Sequence, residues 1–139
     1  PYAAECIGIA VKANEMAVEY AKVRETFGAP LSERQGIQWM LVENEIDIRA
    51  MKWLTFDAAC KADRGEPFRT ESAIAKLQCT ELSGKVVDRS MQIHGGLGVA
   101  KDLPLERWYR EIRIRRIGEG PSEVQKHVIA RDIIGAGLR

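Results

Sequence analysis

Apolar residues recur at helical spacing along most of the chain. From Tyr2 to Phe27 there is no proline and one glycine, Gly8, while Ile7, Ala10, Val11, Ala17, Val18 and Ala21 fall mostly three, four or seven residues apart. That spacing predicts a buried stripe on a long first helix, interrupted by the polar Asn14. Gly28-Ala29-Pro30 ends it. Ser32 to Gln35 then reads as a capping box, with Ser32 as N-cap and Gln35 at the third helical position. A second helix is predicted from about Glu33 to Ala62, with Ile37, Met40, Leu41, Ile46, Ile48, Met51 and Leu54 as its apolar positions. Gly65-Glu66-Pro67 breaks it. A third follows from about Thr70 to Ile93, built on Ala73, Ile74, Leu77, Leu82, Val86, Val87 and Met91, and stops at Gly95-Gly96-Leu97-Gly98. A short helix covers Pro104 to Ile112. The last runs from Ser122 to Ile134 on Val124, Val128, Ile129 and Ile133, closed by Gly135 and Gly137.

No period-two stretch of useful length, internal repeat or low-complexity segment is present. Helices of roughly 22–30 residues would each be about 33–45 Å long. Short connections imply antiparallel neighbours. The expected architecture is therefore all-α, a single up-down four-helix bundle over residues 1–139. Its glycine-rich corners place any loop-borne site at the bundle ends rather than on its sides.

Bulk properties narrow the function classes. The chain has 139 residues, 45% hydrophobic and 29% charged, with a formal net charge of +1. That suits one globular domain with a real core and gives no global case for a nucleic-acid partner. Arg107, Arg110, Arg113, Arg115 and Arg116 cluster, but Glu106 and Glu111 interrupt them, so a solvated or intersubunit face is expected. Cys6, Cys60 and Cys79 are odd in number and widely spaced, matching neither a disulfide framework nor a metal site. A reducing, cytoplasmic setting is expected. No run is apolar enough to span a membrane. The chain begins Pro1-Tyr2-Ala3-Ala4-Glu5, without an initiator Met or signal-peptide pattern, and so reads as part of something longer.

Three segments carry candidate chemistry. In Gly118-Glu119-Gly120-Pro121-Ser122-Glu123-Val124-Gln125 a carboxylate stands between glycines, just before a helix start. Glycine permits positive φ and close approach by another molecule, and Pro121 suits a first helical turn. Such a sequence can aim Glu119 at a ligand, or can simply cap a helix beside a solvated Glu. Arg24-Glu25-Thr26-Phe27-Gly28 offers a phosphate clamp and an aromatic platform, or an arginine complementing a helix dipole. Gln92-Ile93-His94-Gly95-Gly96-Leu97-Gly98 has more glycines than a helix cap needs. The extras hint at close backbone approach by a ligand or subunit, although the dinucleotide fingerprint is absent. His94 and His127 stand apart from any ligand set. Trp39, Trp53 and Trp108 are expected in the core or an interface.

Taken in order, Arg24-x-x-Phe27-Gly28, Gln35, Gln92-Ile93-x-Gly95-Gly96-x-Gly98, Arg110 and the Glu119 octet resemble the C-terminal helical domain of acyl-CoA dehydrogenases, over nearly the whole chain. The resemblance implies an FAD enzyme that oxidises an acyl-CoA thioester to the trans-2-enoyl-CoA, with electron-transfer flavoprotein as acceptor and a homo-oligomer, dimer or tetramer, as the assembly. By that resemblance Arg24 and Thr26 contact the FAD pyrophosphate of a neighbouring subunit, and Phe27 is the aromatic at the same site. Gln35 lies close to that FAD, and Gln92, Gly95 and Gly96 wrap its adenosine end. Glu119 is the catalytic base and Gly120 the glycine on the substrate side of it. Pro121, Ser122 and Glu123 contact FAD within their own subunit. No metal is implied. The other reading of the same fold is a non-catalytic oligomerisation module.

Two departures from the family pattern stand out. Gly118 replaces a frequent Tyr, so the wall beside the base is expected to be more open. Pro121 replaces a frequent Thr, removing a hydroxyl and an N–H. The family's N-terminal helical domain and β-domain, which line the flavin and acyl pockets, are not in this sequence. The isolated chain is therefore expected to fold without turning over acyl-CoA.

Overall fold

The computed structural model describes residues 1–135, so Gly137 lies outside the described residues. Helix α1 spans Tyr2–Val23, α2 Gln35–Asp63, α3 Arg69–His94, α4 Leu105–Arg115 and α5 Ser122–Ile134. The all-helical architecture is as expected, with four main helices and α4 as a short, well-formed fifth. A two-residue antiparallel ladder, β1 (Glu25–Thr26) with β2 (Ala29–Pro30), closes the α1–α2 corner. It lies where a continuous helix to Phe27 was expected. The first helix stops at Val23 because Arg24 turns extended, and Phe27 and Gly28 take positive φ to form the hairpin.

The predicted capping box does not form. Leu31–Glu33 make a 3-10 turn, Arg34 is extended, and α2 begins at Gln35 with Arg34 at the N-cap position. Ser32 contributes its carbonyl, which accepts a bond from Gln38 Nε2 at 2.8 Å.

The core runs along α3, which touches all four other helices. On α1 the buried positions are Cys6, Ala10, Ala13, Ala17 and Ala21, a stripe of small side chains that lets α1 and α3 approach closely. The larger Ile7, Val11 and Val18 flank it, half-buried. Asn14, the polar break in the stripe, accepts a bond from the fully buried Asn44 Nδ2 at 3.1 Å. Arg89 on α3 bonds Asn44 Oδ1 at 3.3 Å and Asp47 Oδ2 at 2.7 Å, so the polar atoms crossing the core are partnered.

One expectation about α2 is corrected, the inward placing of Ile46, and the core-or-interface reading of its tryptophans narrows to an outer face. Ile46 is exposed, as are Trp39 at 60% and Trp53 at 74%, so neither tryptophan is in the core of this chain. Trp39, Val42, Ile46, Trp53 and Phe56 follow a 3-4 heptad spacing along the outer face, with Arg49 filling the fourth of its six places. The buried face carries Asn44, Ile48 and Met51. On α5 only Ser122 is buried, and Val124 and Ile133 are exposed.

Direction matters for the site. The starts of α1 and α3 line one cavity, and their ends meet where Tyr20 stacks on His94 with ring centroids 4.5 Å apart. α1 and α3 therefore run parallel. Helix α4 runs back along α3, packing Leu105 with Val87 and Ile112 on Gly84. Helix α5 continues the same way, bringing Arg131 beside Arg69 and Thr70. The α4–α5 connection is thus a kink between two helices of one direction. It lies against α3 beside the start of α1, and lines the same cavity. Among the described residues no helix is long and apolar enough to cross a membrane.

Candidate functional site

Glu119 sits in this kink, with φ +49. Only Glu119 and Phe27 (φ +50) are non-glycine residues at positive φ among the described residues. A side chain in that region costs about 1–2 kcal/mol, so the surroundings must enforce it. For Glu119 they do so from both sides. Lys76 Nζ donates to the Gly120 carbonyl at 2.7 Å, and Gln125 Nε2 donates to the same oxygen at 3.1 Å and to the Glu119 carbonyl at 3.4 Å. Gly120 is at φ +88, and a Cβ there would strike the Gln125 amide. Downstream, Ser122 Oγ donates to Glu81 Oε1 at 2.8 Å while Arg116 pairs with the other oxygen of Glu81. The Ser122 N–H reaches the Arg116 carbonyl at 3.2 Å, which closes the loop on itself. Burial pushes the Glu81 carboxyl up, but the bonds from Ser122 and Arg116 outweigh that and hold it below its ordinary value.

The carboxylate itself is exposed. Glu119 and Lys76 line a cavity of about 400 Å³ with Tyr2, Thr55, Phe68 and Gln125. Burial pushes the Lys76 ammonium below its ordinary value, offset in part by Cys6 and by the nearby carboxylates Glu119, Glu81 and Glu123. The wall at Gly118 is not open as expected. Tyr2 projects from α1 so that its hydroxyl lies 3.3 Å from where a Cβ on Gly118 would be. Arg115 lies over the Tyr2 ring, 5.0 Å from its centroid, and pairs with Glu5, fixing the tyrosine there.

Pro121 is the N-cap of α5, one place earlier than expected, and Ser122 opens the helix. Ser122 is 7% exposed and its hydroxyl is committed to Glu81. Glu123 is exposed in the first turn. Neither its backbone N–H nor that of Val124 has an acceptor among the described residues outside the helix. Unfilled donors at a helix start favour an anionic or polar ligand edge.

The remaining predicted residues gather at the far end of α1 and α3. Arg24 is the exposed C-cap residue of α1, Thr26 is half-buried in the hairpin, and Phe27 is 100% exposed. Arg34 Nη2 bonds the Thr26 carbonyl at 2.5 Å and that of Phe27 at 3.4 Å, holding the aromatic outward. Gln35 begins α2, and Gln92 is exposed near the end of α3. The three glycines separate by role. Gly95 caps α3 at φ +60. Gly98 is buried against the Met91 backbone, where no Cβ fits, so its close approach is to the chain's own helix. Gly96 has open space around it. An exposed guanidinium, a bare aromatic face, two side-chain amides and an unobstructed glycine suit a pyrophosphate attached to a ring system. Along α3, residues 76 and 94 are about 27 Å apart at 1.5 Å per residue, so one chain cannot turn both groups on one small molecule. Across the arginine cluster, Arg107 and Arg110 pair with Glu111 and Glu106 on the exposed side of α4, whereas Arg115 and Arg116 are half-buried and pair with Glu5 and Glu81.

Pattern reading missed Lys76, Gln125, Arg34 and Tyr2. Gln125 lay in the Glu119 octet. Lys76 stands alone among apolar neighbours in Ala73-Ile74-Ala75-Lys76-Leu77, the one signal that could have singled it out.

Comparison with known proteins identifies the family of this bundle. Residues 1–134 match the family described as acyl-CoA dehydrogenase, C-terminal domain, and the chain belongs to the acyl-CoA dehydrogenase family. It is 44% identical over 131 residues to the acryloyl-CoA reductase (NADH) of Anaerotignum propionicum, covering 94% of this chain and 33% of that protein. It is 41% identical over 132 residues to the mitochondrial short-chain specific acyl-CoA dehydrogenase of Bos taurus, covering 95% and 32%. Among solved structures, butyryl-CoA dehydrogenase from Megasphaera elsdenii superposes with a TM-score of 0.93 at 38% identity, covering 96% of this chain and 35% of that one. The FAD complex of PigA superposes with a TM-score of 0.93 at 25% identity, covering 97% and 35%. The chain thus spans about a third of the length of these relatives.

Proposed function

We propose that this chain is the C-terminal domain of an FAD-dependent enzyme that interconverts an acyl-CoA and its trans-2-enoyl-CoA, with Glu119 as the group that handles the α-proton. The carrying observation is the enforced left-handed backbone at Glu119, which exposes a carboxylate beside a cavity and two residues ahead of a helix cap. A thioester carbonyl acidifies the neighbouring C–H. Glu119 takes that proton, and the electron pair of the broken α-bond becomes the new double bond as hydride leaves the β-carbon. FAD, when bound, supplies the hydride acceptor. A carboxylate with water excluded by the acyl chain is a stronger base than one in bulk solvent, so binding and activation coincide. In the opposite direction, which the name of the acryloyl-CoA reductase suggests, Glu119 returns the proton to the α-carbon. Gly120 keeps the approach to Glu119 free of a side chain.

FAD would be held by two chains. Pro121, Ser122 and Glu123 meet it through the start of α5, Ser122 by its backbone. Arg24, Thr26, Phe27, Gln35, Gln92, Gly95 and Gly96 of a second copy meet its pyrophosphate and adenosine end. The exposed heptad face of α2 is the apolar surface such a homo-oligomer would bury. Electron-transfer flavoprotein is the proposed redox partner of the dehydrogenase direction and a reducing cytoplasm the proposed compartment. The cavity walls supplied by the rest of the enzyme are outside this chain, so the isolated domain is expected to be inactive.

Glu119→Gln in the full-length, flavin-loaded protein is expected to leave FAD bound and to reduce both turnover and α-proton exchange with solvent by about 10³-fold. Turnover near that of the parent would reject Glu119 as the base and favour an assembly role for this domain.

A further inference from the structure

We propose that Lys76 is a positioning residue for this chemistry: its ammonium, bonded to the Gly120 carbonyl inside the Glu119 cavity, sets the backbone geometry from which the carboxylate reaches its substrate. The proposal rests on the reading of Glu119 as the base.

The Lys76 amine stands in an unusual place. Lys76 projects from α3 between the buried Ala75 and Leu77, and its ammonium reaches the kink loop 44 residues away in sequence. A surface lysine would extend into water, where it is fully hydrated. Here it gives up part of that hydration to donate a 2.7 Å charge-assisted bond to a single peptide oxygen. That oxygen belongs to the residue after Glu119, and it also accepts from Gln125. Two donors converging on one carbonyl fix the Gly120–Pro121 peptide plane, and Gln125 Nε2 also reaches the Glu119 carbonyl at 3.4 Å, in the peptide before it. With both peptides that follow it tied down, Glu119 at φ +49 and Gly120 at φ +88 keep the left-handed path that sets the direction of the Glu119 Cα–Cβ bond.

Glu81 performs a different task one and a half turns further along α3. It anchors Arg116 and Ser122, the two shoulders of the loop, and has no bond to Glu119 or Gly120. Lys76 is thus the α3 side chain that bonds the backbone immediately after the carboxylate residue. Its charge also lies in the same cavity as the carboxylate, and burial disfavours that charge unless anions stay close. The lysine and Glu119 are therefore arranged to support one another, the amine by aiming the loop and the carboxylate by compensating the amine.

The test uses the full-length, flavin-loaded protein. Lys76→Met keeps the stem and removes the donor, and Lys76→Arg keeps a cationic donor. A misplaced reacting group costs up to about 10²-fold in rate, so Lys76→Met should lower kcat by about 10- to 100-fold. KM should stay within about threefold, and flavin content and melting temperature should stay those of the parent. Lys76→Arg should recover most of the loss. A parent-like kcat in Lys76→Met, with Glu119→Gln inactive, would overturn this proposal alone. So would equal losses in both lysine variants accompanied by loss of flavin or of thermal stability, the pattern of a structural residue. Full activity in Glu119→Gln would overturn the base assignment and this proposal with it.

Discussion

The hairpin end and the Glu119 kink use the same backbone device for opposite purposes. Both present a non-glycine residue at positive φ, Phe27 at +50 and Glu119 at +49. At the kink the chain clamps the loop with its own side chains: Lys76 and Gln125 from within the cavity, Glu81 on both shoulders. At the hairpin only the backbone is held, by Arg34 and the two-residue ladder, while Arg24, Phe27 and Gln92 face outward. A clamped group suits proton chemistry, where position decides rate. Outward groups suit a ligand brought by a second copy, because their partners arrive only on assembly.

That contrast can be broken by exchanging what each region loses. Glu81→Ala removes the partner of both Arg116 and Ser122 and leaves a half-buried guanidinium without its carboxylate. Breaking such a pair from one side should cost about 2–3 kcal/mol of unfolding free energy, somewhat less than for a fully buried pair. Urea unfolding of the full-length protein measures it. A loss below about 0.5 kcal/mol would mean that Glu81 does not hold the kink.

Arg24→Ala is the matched change at the other end. Arg24 is exposed and has no ion-pair partner among the described residues, so removing it should change unfolding by less than about 0.5 kcal/mol. Its effect should fall on flavin affinity instead. Losing a charge-assisted contact to a pyrophosphate is worth about 2 kcal/mol, roughly 30-fold in Kd, readable by titrating the deflavinated protein with FAD. A stability loss with unchanged flavin affinity would assign Arg24 to the fold and remove the main support for a two-chain cofactor site.

These contrasts also show what could be read from residue order. The helices were legible because their apolar spacing survives burial, and the site segments because Gly118-Glu119-Gly120 and Arg24-x-x-Phe27-Gly28 are local. Which face of α2 turns inward was not legible. That helix is apolar on both sides, and Ile46 and Ile48 look alike until α3 takes one of them. Nor could the glycines of Gly95-Gly96-Leu97-Gly98 be sorted. Gly98 is required by the Met91 backbone, a contact made only when the 3-10 turn folds back on α3. The capping box failed for a related reason. Its spacing was right, but the Arg34 N–H to Leu31 carbonyl bond at 2.9 Å closes a tighter turn first. The parallel course of α4 and α5 was hidden because loop length alone does not distinguish a kink from a reversal. Lys76 escaped notice because its partner is a carbonyl, which every residue has.

The smallest expected effect is the most direct reading of the shared backbone device. Phe27 is fully exposed, so replacing it with glycine forfeits almost no buried apolar surface. The left-handed conformation costs a side chain about 1–2 kcal/mol and costs glycine almost nothing, while the glycine's freer unfolded state takes back about 0.5–1 kcal/mol. Phe27→Gly should therefore raise unfolding free energy by about 0.5–1 kcal/mol and at the same time weaken FAD binding. The opposite signs follow only if the phenyl ring is held in an unfavourable conformation for the sake of a partner. A variant that lost stability would mean the ring packs on its own chain after all. One that gained stability with unaltered FAD affinity would leave the strain at Phe27 without a ligand to explain it, and the likeness between the two regions would end at the backbone.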